Sequence, residues 1–167
     1  PDAHFHALLE QAGADLSDRK VQGVIGNFYD NADRDEKALK WYHLGARQGD
    51  SHCEYSIGDN YRNGYGVEIN LDTALEWFEK AAAKGHTGAQ VGIGVVSYTK
   101  ERYEDAVTWF TKAADQHDTE AECWLGRCYQ SGNGVQQNLD TALAWFEKAA
   151  AKSHADGQFG LGGVRYT

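Results

Sequence analysis

Seven histidines, three cysteines and 25 acidic side chains give this chain of 167 residues ample raw material for chemistry. Their spacing does not assemble it. His4-Phe5-His6 could grip a metal ion only if both imidazoles converged, and two residues apart on a helix they diverge. His86 and His154 are copies of one another at the ends of two near-identical segments, a placement that suits a turn better than a pair of active sites. The stretches Gly64-Tyr65-Gly66-Val67 and Gly132-Asn133-Gly134-Val135 are no phosphate cradles, since no strand leads into them and no Gly-Lys-Ser or Gly-Lys-Thr follows. Cys123 and Cys128, five apart, point different ways on a helix, and Cys53 is an odd third, so all three read as reduced packing residues. No nucleophile, base and orienting group come together. The expectation is a protein that is not an enzyme, with no catalytic residue, metal or cofactor.

The elements that carry these residues are copies of one another. Asn70 to His86, NLDTALEWFEKAAAKGH, returns 68 residues later as Asn138 to His154, NLDTALAWFEKAAAKSH. Around Trp41, Trp77, Trp109 and Trp145 the same pattern holds: an alanine three residues before, an aromatic immediately after, and a small pair four and five residues on. These positions form one broad stripe of a helix, with bulky side chains facing a neighbour and small ones letting it come close. Seventeen residues after each tryptophan comes the glycine of Ile57-Gly58, Ile93-Gly94, Leu125-Gly126 and Leu161-Gly162, and Ile25-Gly26 precedes the first tryptophan. A helical glycine costs about 1 kcal/mol relative to alanine, so its recurrence calls for the close approach of a second helix. Each repeat therefore reads as a helical hairpin whose first helix carries the aliphatic-glycine pair and whose second carries the tryptophan. Trp77→Ala is expected to cost about 3–5 kcal/mol if the tryptophan sits in the core.

From glycine to glycine the steps are 32, 36, 32 and 36 residues, and the extra four fall between the two helices of alternate repeats. The long connections are the two Gly-x-Gly-Val stretches; the short ones shrink to Asp30–Asp33 and Thr99–Glu101. Glycines there suit positive φ at a helix end, and Asn70 and Asn138 suit N-caps. Residues 53–99 and 121–167 share 27 identities in 47, so the duplicated unit is a pair of hairpins.

This combination of Gln22, Glu54, Gln90, Glu122 and Gln158 before each aliphatic-glycine pair, the Gly-x-Gly-Val turn and the Ala-Leu-x-Trp-aromatic helix resembles the Sel1-like repeat (SLR) family, relatives of the tetratricopeptide repeat. The resemblance covers roughly residues 19–167. It departs in the short repeats, which lack Gly-x-Gly-Val and place Arg34 and Arg102 where an acidic residue is usual. The implied fold is all-α, a right-handed α/α superhelical solenoid of about four hairpins plus terminal half-repeats. Its parts are an N-terminal capping helix or degraded half-repeat over 1–18, repeats over 19–50, 51–86, 87–118 and 119–154, and the first helix of a truncated fifth repeat over 155–167. The missing second helix of that fifth repeat and the absence of any methionine suggest a portion of something longer.

No apolar run approaches the length of a membrane span, so direct membrane insertion is not expected. A formal net charge of −9 argues against a nucleic-acid partner. Cysteine usage leaves the compartment open, and the resemblance leans towards a periplasmic or secreted protein, with a cytoplasmic one next.

What remains is a surface. In the implied fold the first helices line a concave face, and residues one or about four positions from each glycine reach it. From these, Tyr55, Asp59, Arg62, Val95, Tyr98, Arg127, Gln130 and Phe159 are the candidate partner-binding residues. Val91 joins Val95 and Tyr98 as an apolar centre, although its register position, shared with Gly23, Tyr55, Cys123 and Phe159, could instead pack between repeats. Trp124 is either a core filler or an anchor. The expected function is a scaffold or adaptor holding a peptide or protein; the family resemblance adds envelope assembly, host interaction and toxin neutralisation as settings. The alternatives are an accessory repeat arm of a larger enzyme or secretion component, and a module that self-associates through its open C-terminal repeat.

Overall fold

The computed structural model describes Gly13 and residues 15–152. Among these there are eight helices and no strands: α1 (Arg19–Asp30), α2 (Asp35–Arg47), α3 (Ser51–Asn63), α4 (Leu71–Ala83), α5 (Thr87–Thr99), α6 (Tyr103–Ala114), α7 (Thr119–Ser131) and α8 (Leu139–Ala150). Most of the expected capping helix, and the whole of the expected fifth repeat with Phe159, fall outside the described residues, as do His4, His6 and His154. The chain divides into two compact units between His86 and Thr87. Each contains two hairpins, α1–α2 with α3–α4 and α5–α6 with α7–α8.

The helices begin where the sequence supplies a cap. Asp18, Asp50, Asn70, Asp118 and Asn138 each accept a hydrogen bond from a backbone N–H of the first turn. The second helices of the short repeats start differently. Arg34 and Arg102 make no side-chain cap, and the acidic pairs Asp35-Glu36 and Glu104-Asp105 face the positive end of the helix instead. The short connections turn on non-glycine residues in the left-handed region, Asp33 at φ 53° and Glu101 at φ 58°. The long ones use Gly64 and Gly66, or Gly132 and Gly134. Gly66 also lies against the backbone of the preceding short repeat: a Cβ there would come within 2.7 Å of Asp35.

Inside each hairpin the helical glycine faces the aromatic residue that follows the tryptophan. A Cβ at Gly58 would stand 2.7 Å from the Phe78 ring, and Gly94 and Gly126 are as tightly opposed to Phe110 and Phe146. Tyr42 occupies the same place against Gly26. These four rings are buried, Phe78 at 0% exposure, whereas Trp41, Trp77, Trp109 and Trp145 are only half-buried. This corrects the expectation of a tryptophan core. The tryptophans lie along the flank of the core, where lysines one turn on cover three of them: Lys80 over Trp77 at 3.9 Å, with Lys112 and Lys148 over Trp109 and Trp145 at 4.7 Å.

The polar residue before each aliphatic-glycine pair closes its own hairpin. In the short repeats it is glutamine meeting glutamine, Gln48 to Gln22 at 2.9 Å and Gln116 to Gln90 at 2.8 Å. In the long repeats it is a carboxylate meeting lysine, Glu54 with Lys84 at 2.6 Å and Glu122 with Lys152 at 2.8 Å. Glu122 is 0% exposed and takes Lys148 as a second cation at 3.0 Å. Lys84 and Lys152 also donate to the carbonyls of Gly49 and His117, tying each long hairpin to the linker that enters it.

Candidate functional site

In the N-terminal unit, α1, α2 and α3 enclose a groove of about 190 Å³. It brings together Tyr55 and Asp59 from the sequence expectation with Asn27, Asp30, Tyr42, His52, Asn60 and Tyr65. Asn27 and Asp59 sit one residue after the repeat glycine, Asp30 sits four after it, and Tyr55 three before it, so the 3.6-residue period places them on one side of the first helices. The Tyr42 hydroxyl donates to Asn27 Oδ1 at 2.8 Å, and His52 Nε2 lies 3.2 Å from the same oxygen. Tyr55 stacks on His86 with centroids 4.7 Å apart. Asp59 is tied down by Arg62 and by Asn63 at 3.0 Å, while the Arg62 guanidinium lies 5.9 Å over the Phe78 ring.

The groove is electrically one-sided. Asp30 is exposed at the rim, but partial desolvation pushes its carboxyl above the usual carboxylate range, and the neighbouring carboxylates of Asp35, Asp59 and Asp33 push it further the same way. Burial likewise raises the Tyr42 phenol, with Asp30 adding to it. Behind these groups Asn60 is only 3% exposed, and its Nδ2 has no hydrogen-bond partner. Sequence reasoning passed over Asn60, yet a signal was present. It stands two residues after the repeat glycine, where the other described repeats carry Phe28, Val96 and Cys128.

The C-terminal unit presents a different face. Val95 is half-buried, and Tyr98 accepts a hydrogen bond on its hydroxyl from Asn133 Nδ2 at 2.6 Å while its ring meets Tyr103 and Trp124. Trp124 lies flat on Phe110 with centroids 5.3 Å apart, and Arg127 covers Trp124 at 5.1 Å. Gln130 remains partly exposed, its carbonyl accepting from Gln137. Val91, by contrast, is 2% exposed within the core, as is Cys123 at 1%, which removes Val91 from the expected apolar centre. Among the described residues that register position is buried at Gly23, Val91 and Cys123 and partly open at Tyr55. Trp124 combines both expectations: its ring packs on Phe110 and stays partly exposed beside Arg127.

The three cysteines are buried and form no disulfide, and burial pushes the Cys53 thiol up to about 12 and that of Cys128 to about 11, well away from nucleophilic character. Among the described residues no group of three or more His, Cys, Asp or Glu could hold a metal ion, and no helix is long and apolar enough to cross a membrane.

Comparison with known proteins agrees with this architecture. Part of the chain, 88 residues or 51% of it, is 39% identical to the DAP3-binding cell death enhancer 1 of Rattus norvegicus, of which it covers 17%. A protective antigen of uropathogenic Escherichia coli displaying an SLR fold superposes with TM-score 0.81 at 30% identity, over 90% of this chain and 34% of that one. A Sel1 repeat protein from Oxalobacter formigenes gives 0.76 at 28% identity, over 87% and 61%. The chain thus spans less than two thirds of each of these relatives. The Sel1 repeat itself matches residues 31–50, 51–86, 92–118 and 119–154, each match taking in a tryptophan helix and its turn. With the glycine-to-aromatic hairpins and Gly-x-Gly-Val turns in place, the chain belongs to the Sel1 repeat family, whose fold is a helical repeat scaffold.

Proposed function

We propose that this chain is a protein-interaction module, not an enzyme, and that its first helices hold a peptide or folded partner. The observation that carries the reading is the character of those helices. In the N-terminal unit they line a polar groove of about 190 Å³, and in the C-terminal unit they present Tyr98, Trp124 and Arg127 together. Aromatic rings beside an arginine are the composition that dominates binding energy in protein interfaces. The likeness to a protective antigen of a uropathogen favours host interaction over envelope assembly or toxin neutralisation as the setting. A second reading, an accessory arm of a larger protein, draws support from the 17% share of the rat relative that the chain covers.

Affinity capture from the source organism's lysate tests the first reading, using the native chain, Asp30→Lys and Arg127→Glu, with helicity and melting shown to be unchanged. A partner lost from either variant supports it. A partner kept by both variants moves the working surface to the second helices. Retention of nothing specific favours the arm.

A further inference from the structure

We propose that the groove of the N-terminal unit is the seat for a lysine or arginine side chain of an extended peptide, with Asn60 anchoring that peptide's backbone. The inference rests on the reading that the first helices bind protein, and it names the chemistry of the partner. Two independent features converge on it. The first is charge: Asp30 stands at the groove rim in the field of Asp33, Asp35 and Asp59, and all three press it in the same unfavourable direction. A cation placed there relieves that repulsion, whereas an anion adds to it. Asp59 is already paired with Arg62, so Asp30 carries the incoming charge.

The second feature is the orphaned amide. Asn60 is 97% buried, lines the groove, and leaves Nδ2 without a partner. A buried donor left unpaired costs roughly 1–3 kcal/mol, and an acceptor brought by a ligand recovers it. A peptide carbonyl is such an acceptor, and it comes with the basic side chain on the same chain. Tyr65, exposed at the groove edge, offers a ring to the aliphatic stem of that side chain. A bare metal ion is a poor occupant, because no trio of ligating groups converges among the described residues. The groove is also much larger than one ion or one water, at about 190 Å³.

The probe is an array of acetylated, amidated nonapeptides, degenerate except at the centre, which is fixed as lysine, arginine or glutamate. It is read with the full chain, Asp30→Asn, Asp30→Glu and Asn60→Ala. We expect the basic sets to bind the native chain at least about tenfold better than the glutamate set, the scale of one charge-assisted hydrogen bond. Asp30→Asn abolishes that preference, and Asp30→Glu keeps it. Asn60→Ala weakens the basic sets about tenfold while leaving the melting transition in place, since no hydrogen bond from its amide nitrogen is lost. Should Asn60→Ala fail to fold, the Asp30 pair decides alone, because that position is exposed. Equal binding of basic and acidic sets, a preference that survives Asp30→Asn, or no binding at all would overturn the proposal. If lysate capture still yields a partner in that case, the interaction reading stands and only the basic seat falls; if capture also fails, both fall.

Discussion

Within each hairpin the ring after the tryptophan is buried, because the missing Cβ of the opposing glycine leaves room for one flat side chain. Phe78 fills that room completely, while Trp77 packs from the side, edge-on to His43 at 5.4 Å and under Lys80. Phe78→Ala should therefore cost about 3–5 kcal/mol and Trp77→Ala only about 1–2 kcal/mol, the order reversing if tryptophan were the true core residue. Urea denaturation of the two variants side by side reads the difference. Gly58→Ala should cost about 1–3 kcal/mol, since the new methyl would meet the Phe78 ring at 2.7 Å. A different strain sits at His117, exposed and at φ 64°, where the corresponding linkers carry Gly49 and Gly85. Its side chain suffers the left-handed penalty while its backbone serves the fold, the N–H donating to the Ala114 carbonyl at 2.9 Å and the carbonyl accepting from Lys152. We expect His117→Gly to stabilise by about 0.5–1 kcal/mol in the same assay, the steric gain exceeding the added entropy of the unfolded chain.

At the level of the hairpin, one register position alternates between two kinds of closure, and each kind goes with its connection length. Short hairpins pair Gln22 with Gln48 and Gln90 with Gln116, 26 residues apart; long ones pair Glu54 with Lys84 and Glu122 with Lys152, 30 apart. Neutral partners satisfy each other's amides, whereas a buried carboxylate without its lysine is left uncompensated. Lys84→Gln alone should therefore destabilise by about 2 kcal/mol, reduced from the fully buried case by the partial exposure of that lysine. Adding Glu54→Gln should return most of the loss. If the double variant is no better than the single one in chemical denaturation, the long hairpins need the charge itself. Sequence spacing revealed the hairpins, their alternation and the N-caps Asn70 and Asn138, because these rest on local periodicity and turn chemistry. It did not reveal the closures, whose partners lie beyond the second helix, nor the difference between Trp77 and Phe78, which share one apolar stripe. Tyr55 and Asp59 were legible as groove residues from the glycine register; Asn60 was not, since it lies on the buried side of that register.

Over the whole molecule the acid response should be uneven. Among the described residues the two histidines with displaced pKa values, His43 and His86, both belong to the N-terminal unit. Burial lowers His43 first, and Arg47 and Lys80 lower it further; burial and His52 lower His86, against a smaller opposing pull from Asp50. Each folded-state pKa is therefore below the unfolded value near 6.5, and between the two the unfolded chain binds more protons than the folded one. Stability is complete above that unfolded value and is lost as the pH falls through it towards the folded pKa. Asp30 works the other way but nearer the carboxylate range, because its folded pKa is raised and its ionisation opposes folding; protonating it at lower pH relieves that cost. The histidine effect is thus separable between about pH 7.5 and 5.5, a window bracketing the free histidine value. Amide hydrogen exchange across it should show protection falling in α1–α4 while α5–α8 hold, and His43→Gln with His86→Gln should flatten the response. Equal loss in both units, or a response that survives the double substitution, would assign the acid sensitivity to groups other than these two half-buried imidazoles.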